Sequence, residues 1–509
     1  MNVADEASRS FWMEDGAGVD APPLREDAEC DVVVVGGGIA GLSCAYELAR
    51  LGRRVIVIDR GRIATGMTAR TTAHLASELD DYYYELIGQR SEEQARLYHA
   101  SQVGAINRIE AICRDESIEA DFARVDGFLF AADESGAKDL AREFDACRTL
   151  GVPVEWVENA PVPGRDTGRA LRFPDQARVH PTRYLQGLAR AIVARGGRLF
   201  GETVHVKDDE DGDGRVTVHT EAGPAIRAGA AVFATNSPTN DKVAIHTKQE
   251  PDRTYVVAGR VPDGSVADAL LWDTLEAYHY VRLQPLGSGE QLLIVGGEDH
   301  RSGEANDMDE RFARLEAWTR ERFPAFAGAQ YRWSGQVMEP VDFLPFSGRN
   351  PGNRNVYLHT GDSGQGLTNA VAGSLTIVPL IVGEEARFAE LFDPARKPKG
   401  LTSLGEFIKG QAGAAKNMAE YLTPGEIASA DELQPGEGGV MRDGLAKLAV
   451  CRDRSGTLHK RSAVCTHVGC IVHWNGLEQC WDCPCHGSQF APDGAVLNGP
   501  AVKPLAAAD

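Results

Sequence analysis

Two short segments near the end of the chain carry the residues best suited to chemistry. CTHVGC runs from Cys465 to Cys470 and CPCHGS from Cys483 to Ser488, so each offers one Cys-His pair: Cys465 with His467, and Cys483 with His486. Two thiolates on one iron and two imidazoles on the other are what a [2Fe–2S] cluster of mixed ligation needs. Neutral imidazoles in place of thiolates reduce its negative charge and raise its potential above that of an all-Cys cluster. The same four groups also satisfy tetrahedral zinc. Zinc fingers, however, usually pair Cys with Cys and His with His, which favours the cluster. Cys480 lies off the ligand pattern and reads as a packed thiol.

A second chemical constellation stands at the front. DVVVVGGGIAGLSCAYELARLGRRVIVIDR begins at Asp31: an apolar run, Val32 to Val35, leads into Gly36, Gly38 and Gly41. A helical pattern over Ile39 to Leu51 stops at Gly52, and a second strand over Arg54 to Ile58 ends at Asp59. This is a dinucleotide-binding βαβ unit. Gly36 permits the tight turn, Gly38 lets backbone approach a pyrophosphate, and Gly41 lets the helix pack on the sheet. Free N–H groups at the helix start face the phosphates, with Ile39 and Ala40 in that first turn, and Asp59 accepts from a ribose hydroxyl.

Later segments resemble the D-amino-acid-oxidase-like flavoproteins, and the resemblance implies FAD rather than NAD. GRIATGMTARTTAHL, from Gly61, looks like the loop joining ribose to flavin ring, with Arg60, Thr65, Gly66, Thr71 and Thr72 as implied contacts. PDQARVHPTRYLQGLARAIVARGG, from Pro174, resembles the family's helix entry, with the helix opening at His180-Pro181. A strand over Thr203 to Val206 would bring Val204 backbone to the adenine, and AAVFATNSP would bring Ala234 and Thr235 beside the cofactor. WSGQVMEPVDFLPFSGR and NVYLHTGDSGQGLTNAVAG look like the closing strands and last helix. There the turn Gly361, Asp362, Gly364, Gly366 precedes Leu367 and Thr368, and the helix start would aim backbone donors at the flavin N1–C2=O edge.

The stretch Val464 to Leu505 resembles the cluster-binding part of Rieske proteins from cytochrome bc-type complexes. The likeness implies a Cys470–Cys485 disulfide clamping the two loops, a covering turn at Gly499-Pro500, and a hydroxyl from Ser488 to a cluster sulfur. Phe490 stands where that family often has a Tyr donating to a ligand thiolate. Losing that donor should lower the potential.

At 509 residues the chain exceeds one core, and its composition, 43% hydrophobic and 25% charged, is that of a globular protein. A net charge of −21 argues against nucleic acid and against anionic membranes. No apolar run reaches the length of a membrane span, and the start MNVADEASRS lacks the basic and apolar regions of a signal peptide. A cytoplasmic protein is expected. The expected organisation is a polar arm over 1–30, then an α/β Rossmann-like FAD module over 31–395 with an interleaved α+β substrate domain. A linker and docking helix over 396–422 leads to an all-β Rieske domain over 423–509. KDDEDGDGR, at 207–215, reads as a solvated hairpin turn.

Flavin accepts two electrons together and the cluster takes one at a time. The combination therefore reads as a dehydrogenase for a C–N bond of an amine or amino acid, passing electrons to an external one-electron acceptor. The alternatives are a reductase fed by NAD(P)H or a carrier, for which only one glycine fingerprint is found, and a redox-sensing module. DTLEAYHYVRL, at 273–283, reads as a substrate-domain strand on which Tyr280 and Arg282 share a face and could bind a carboxylate. His74 and Arg70, in the flavin loop, are further catalytic candidates.

Overall fold

The structure, a computed structural model, describes residues 2–14, 16–240, 245–397 and 420–508. Its cofactor domain is built on the strand Ala28–Val35, which is parallel to Val55–Ile58 on one side and to Ala225–Phe233 on the other. Continuous apolar runs suit a parallel strand covered on both faces, and Val33 and Val34 are wholly buried. Outward from the centre, Arg198–Phe200 extends one edge, and Val356–Thr360 followed by the antiparallel Phe346–Arg349 extends the other. The expected strand over 203–206 is displaced. Thr203 and Val204 lie in the connection between Arg198–Phe200 and the hairpin His205–Glu210/Val216–Thr220. The charged 207–215 segment forms that hairpin's arms and tip, as read from its composition.

The helix Ile39–Arg50 packs on this sheet beside Gly366–Val382, within one hydrophobic core. Ser363–Val382 is the one described stretch long and apolar enough to cross a bilayer, a length the sequence reading did not anticipate. Within this fold 67% of it is buried, and it serves as a core helix.

A nine-stranded sheet forms the substrate domain. Its order runs Tyr331–Pro340, Gln249–Pro262, Glu290–Arg301, Tyr280–Gly287, Leu270–Asp273, Ala123–Phe130, Ala170–Arg178, His74–Leu75, with the ninth strand, Glu155–Val157, also paired to Ala170–Arg178. The expected single strand over 273–283 is instead two strands separated by a turn. The amphipathic stretch after Arg311 lies in the helix Met308–Arg322. Beyond residue 420 two small antiparallel sheets follow, one over Gly438–Ser462 and one over His473–Asn498. Most of the expected docking helix over 401–421 lies outside the described residues; Glu420–Leu422 is a single 3-10 turn.

The first residues do not lie on the surface as a polar arm. Val3, Glu6, Ser8, Ser10, Trp12 and Met13 are all buried. They thread between the flavin loop and the C-terminal domain. Ser8 Oγ donates to Glu478 (2.5 Å), Gln489 Nε2 donates to Glu6 (2.7 Å), and Asn2 Nδ2 donates to Thr65 Oγ1 (3.0 Å).

Candidate active site and cluster site

A deep cavity begins at the glycine turn after Val35. Gly36 has φ +110°, and a Cβ there would stand 2.1 Å from the carbonyl oxygen of Ala234. At Gly41 a Cβ would stand 1.9 Å from the oxygen of Gly36, so only glycine lets the helix close on the turn. Asp59 ends the second strand with its carboxylate held by the backbone N–H groups of Gly37 (2.8 Å) and Gly61 (2.7 Å). Thr68 Oγ1, which sequence reading missed, accepts from the N–H of Ile39 (3.1 Å). This turn, with its helix start and its acid, fits the dinucleotide half of FAD.

Most of the expected contacts line this one cavity. They include Gly36, Gly38, Ile39, Ala40, Asp59 and Arg60 at one end, then Gly66, Thr71, Thr72, His74, Ala234 and Thr235, and Asp362, Gly364, Gly366 and Leu367 at the other. Several others stand behind the wall. Thr65 bonds Arg62 and Asn2, Gly361 (φ +79°) makes the turn, and Thr368 donates to the oxygen of Gln365. Of the segment expected at the adenine, Thr203 and His205 line the cavity, and Val204 lies between them.

The four catalytic candidates separate. Tyr280 lines the cavity with its hydroxyl 2.6 Å from Thr254 Oγ1, and burial pushes its pKa well up, so it stays neutral. His74 also lines the cavity, but Nε2 meets the carbonyl of Val281 (3.2 Å) and Nδ1 meets Thr72 Oγ1 (3.1 Å). A carbonyl can only accept, so Nε2 carries the proton. Burial, with the nearby Arg282 charge, drives the His74 pKa down to about 3. Its ring is a neutral wall group with both nitrogens engaged. Arg282 is not in the cavity. Its guanidinium donates to the carbonyls of Ala73 (2.7 Å) and Val179 (3.0 Å) and to Gln284 (2.6 Å), which overturns the carboxylate-binding role. Arg70 likewise turns away, donating to the oxygens of Val3 and Ser334 and pairing with Glu478.

The cluster site is formed by two loops of matching shape. The N–H of Gly469 bonds the oxygen of Cys465 and the N–H of Gly487 bonds that of Cys483, each at 3.0 Å. Both glycines have positive φ, +90° and +78°. The loops bring the Cys465 and Cys483 thiols within hydrogen-bonding reach of each other and set the His467 and His486 rings 5.0 Å apart. His486 Nδ1 is buried without a hydrogen-bond partner among the described residues. A buried imidazole nitrogen left over beside paired thiols is what a metal would satisfy. The Cys470–Cys485 disulfide joins the loops, and the Ser488 hydroxyl meets the Cys465 thiol. Phe490 is fully buried, and Cys480 is a packed thiol.

The two sites share a wall. Leu497, Asn498 and Gly499 of the C-terminal domain line the flavin-side cavity. Gln336, also on that wall, donates from Nε2 to the carbonyl of Gly487 (2.9 Å), the neighbour of His486, and accepts from Asn498 (2.7 Å) and Asn236 (3.1 Å). Buried His246, from the flavin side, sets its ring 4.9 Å from that of His467 and 5.7 Å from that of His486.

Fold and site together define a flavin-dependent oxidoreductase with a Rieske iron–sulfur domain fused behind it. Residues 31–377 match the FAD dependent oxidoreductase family and residues 423–509 the Rieske [2Fe-2S] domain, so the chain belongs to the former family and carries the latter. It binds FAD and a [2Fe–2S] cluster. It is 31% identical over 510 residues to the Bacillus subtilis (strain 168) protein YhfW, named for a Rieske 2Fe-2S iron-sulfur centre, covering 99% of this chain and 98% of that one. It is 25% identical to the gamma-glutamylputrescine oxidoreductase of Escherichia coli (strain K12), over 72% of this chain and 86% of that one. The crystal structure of glycine oxidase from Geobacillus kaustophilus superposes with a TM-score of 0.62 at 19% identity, covering 73% of this chain and 99% of that one.

Proposed function

We propose that the chain is a dehydrogenase for the C–N bond of an amine or amino acid, delivering electrons to an external one-electron acceptor. The overall balance is R–CH2–NH3+ plus H2O giving R–CHO, NH4+, two protons and two electrons. FAD supplies the two-electron oxidation and the cluster the one-electron outlet. The observation that carries this reading is Gln336: one side chain both lines the flavin cavity and hydrogen-bonds the residue next to cluster ligand His486. An outlet built into the same wall is of use only if electrons cross it.

The chain's own groups set the conditions. The start of the helix Gly366–Val382 points backbone donors and the positive dipole end toward the cavity, favouring negative charge there. Neutral His74 and Tyr280 shape the wall without contributing charge. His246 covers the histidine side of the cluster site. The relatives agree with a C–N substrate, since their names cite gamma-glutamylputrescine and glycine. The test is anaerobic mixing of the holoenzyme with a panel of amines and amino acids. Loss of the oxidised flavin spectrum followed by the electron-paramagnetic signal of a reduced mixed-ligand cluster is expected. Bleaching by NADH alone, with no response to any amine, would overturn the reading.

A further inference from the structure

The substrate end of the cavity has a one-sided charge. Glu78, Asp80, Asp299 and Glu339 line it. Among the described residues no Lys lines the cavity, and the two Arg residues that do are committed elsewhere. Arg60 stands beside Asp59 and donates to the carbonyl of Val496 (2.8 Å), while the Arg70 guanidinium is turned into the arm and Glu478. Arg282, the cation the sequence offered, is spent on backbone carbonyls behind the wall.

None of the four carboxylates forms an ion pair among the described residues. Glu78 is only 4% exposed, and its carboxylate has no hydrogen-bond or ion-pair partner among the described residues. Asp299 Oδ1 is buried without a hydrogen-bond partner among the described residues. Asp80 and Glu339 reach the glycine turn itself. A Cβ on Gly364 would stand 2.0 Å from Asp80 Oδ2, and Ser363 Oγ donates to Glu339 at 2.6 Å. Tyr278, which donates to Asp80 (2.7 Å), Tyr280 and Trp272 add aromatic faces. Buried acids beside aromatic rings suit an alkylammonium, held by charge and by cation–π attraction.

We propose that the substrate is a cationic amine lacking a carboxylate, of the di- or polyamine class, whose ammonium groups neutralise this acidic quartet. This rests on the amine-oxidising reading above and narrows it. An amino acid would bring its carboxylate among four acids with no guanidinium among the described residues turned to receive it. Burial, then mutual proximity, pushes Glu78 and Glu339 well above the ordinary carboxylate range, and burial lifts Asp80 to about 6 and Asp299 to about 7. Groups displaced in that direction recover their charge when a cation arrives.

The experiment uses the oxidised holoenzyme. Titration with tetramethylammonium is expected to perturb the flavin spectrum while acetate does not; the reverse pattern overturns the proposal. Under anaerobic conditions putrescine and cadaverine should reduce the flavin at concentrations about tenfold or more below those of glycine or proline. Lower half-saturation for the amino acids would overturn it while leaving the amine-oxidising reading intact. Tetramethylammonium binding without reduction by any amine would support the cation site and sink the reaction instead. Asp299→Asn and Glu78→Gln should each raise half-saturating putrescine about tenfold with unchanged FAD content. Unchanged saturation in both variants counts against the proposal.

Discussion

The guanidinium of Arg70 and the carboxylate of Glu478 lie 3.2 Å apart, and neither side chain is exposed to solvent. Arg70 belongs to the flavin loop and Glu478 to the Rieske domain, so the pair spans the junction of the two modules. Glu6 from the arm, Arg253 from the substrate sheet and Asp482 beside Cys483 complete the network. Buried ion pairs add little net stability, but removing one partner strands a charge at a cost of about 3–5 kcal/mol. Glu478→Ala should therefore lower the unfolding free energy by about that amount. Glu478→Gln should cost less, since Ser8 and Ser334 can still bond the amide. Thermal unfolding followed through flavin fluorescence checks this; an unchanged midpoint for Glu478→Ala would contradict it.

Gln336 is the second link across the junction. Its amide holds Gly487, Asn498 and Asn236 together, and leucine keeps the volume while deleting those bonds. A hydrogen bond contributes about 1 kcal/mol, and that much on a barrier is about fivefold in rate. Gln336→Leu should leave photoreduction of the flavin unchanged and slow the later reduction of the cluster about five- to tenfold. Flash photolysis resolving both absorbances measures it. Equal slowing of both steps would show a general loss of structure.

What the sequence disclosed was local. Gly36, Gly38, Gly41 and Asp59 act within one βαβ unit, and Cys465, His467, Cys483 and His486 lie in two tight loops. Spacing alone identifies such groups. Arg282 was misjudged because its partners, Ala73 and Val179, come from segments far away in the chain. No periodicity reports which carbonyls a guanidinium will find. The acidic quartet escaped for the same reason, since it assembles from the segment after the strand His74–Leu75 and two strands of the substrate sheet. The arm looked polar and solvated, yet Glu6 and Ser8 find partners more than four hundred residues away.

His473 introduces a pH dependence into the C-terminal domain. It sits between Glu426 (2.6 Å) and Glu420 (3.0 Å). Burial would lower its pKa, but hydrogen bonds to the two carboxylates outweigh this and raise it to about 9. The folded domain thus holds the proton more tightly than the unfolded chain. The resulting stabilisation is complete below about pH 6.5 and fades as pH rises through 9. Partial exposure screens it, so about 3 kcal/mol is its ceiling. Denaturant unfolding at pH 6 and pH 10 should show His473→Gln clearly weaker than the wild type at pH 6. The two should converge at pH 10, and a constant difference would rule the linkage out.

The two cofactor sites should fail independently. An alanine at Gly36 must adopt φ +110° with its Cβ 2.1 Å from the Ala234 oxygen. Left-handed backbone costs roughly 1–2 kcal/mol for an L-residue before any clash is counted. The turn must therefore open, moving the free N–H groups at the start of the helix Ile39–Arg50. Gly36→Ala should bind FAD at least about tenfold more weakly. Cys483→Ser removes one of the paired thiols without touching the cavity wall, so it should abolish iron binding and leave FAD in place. Iron and flavin per chain, measured on both purified variants, are expected to show opposite losses. If Cys483→Ser released flavin as readily as iron, the wall bridged by Gln336 would be a shared folding unit rather than a contact between two self-sufficient sites.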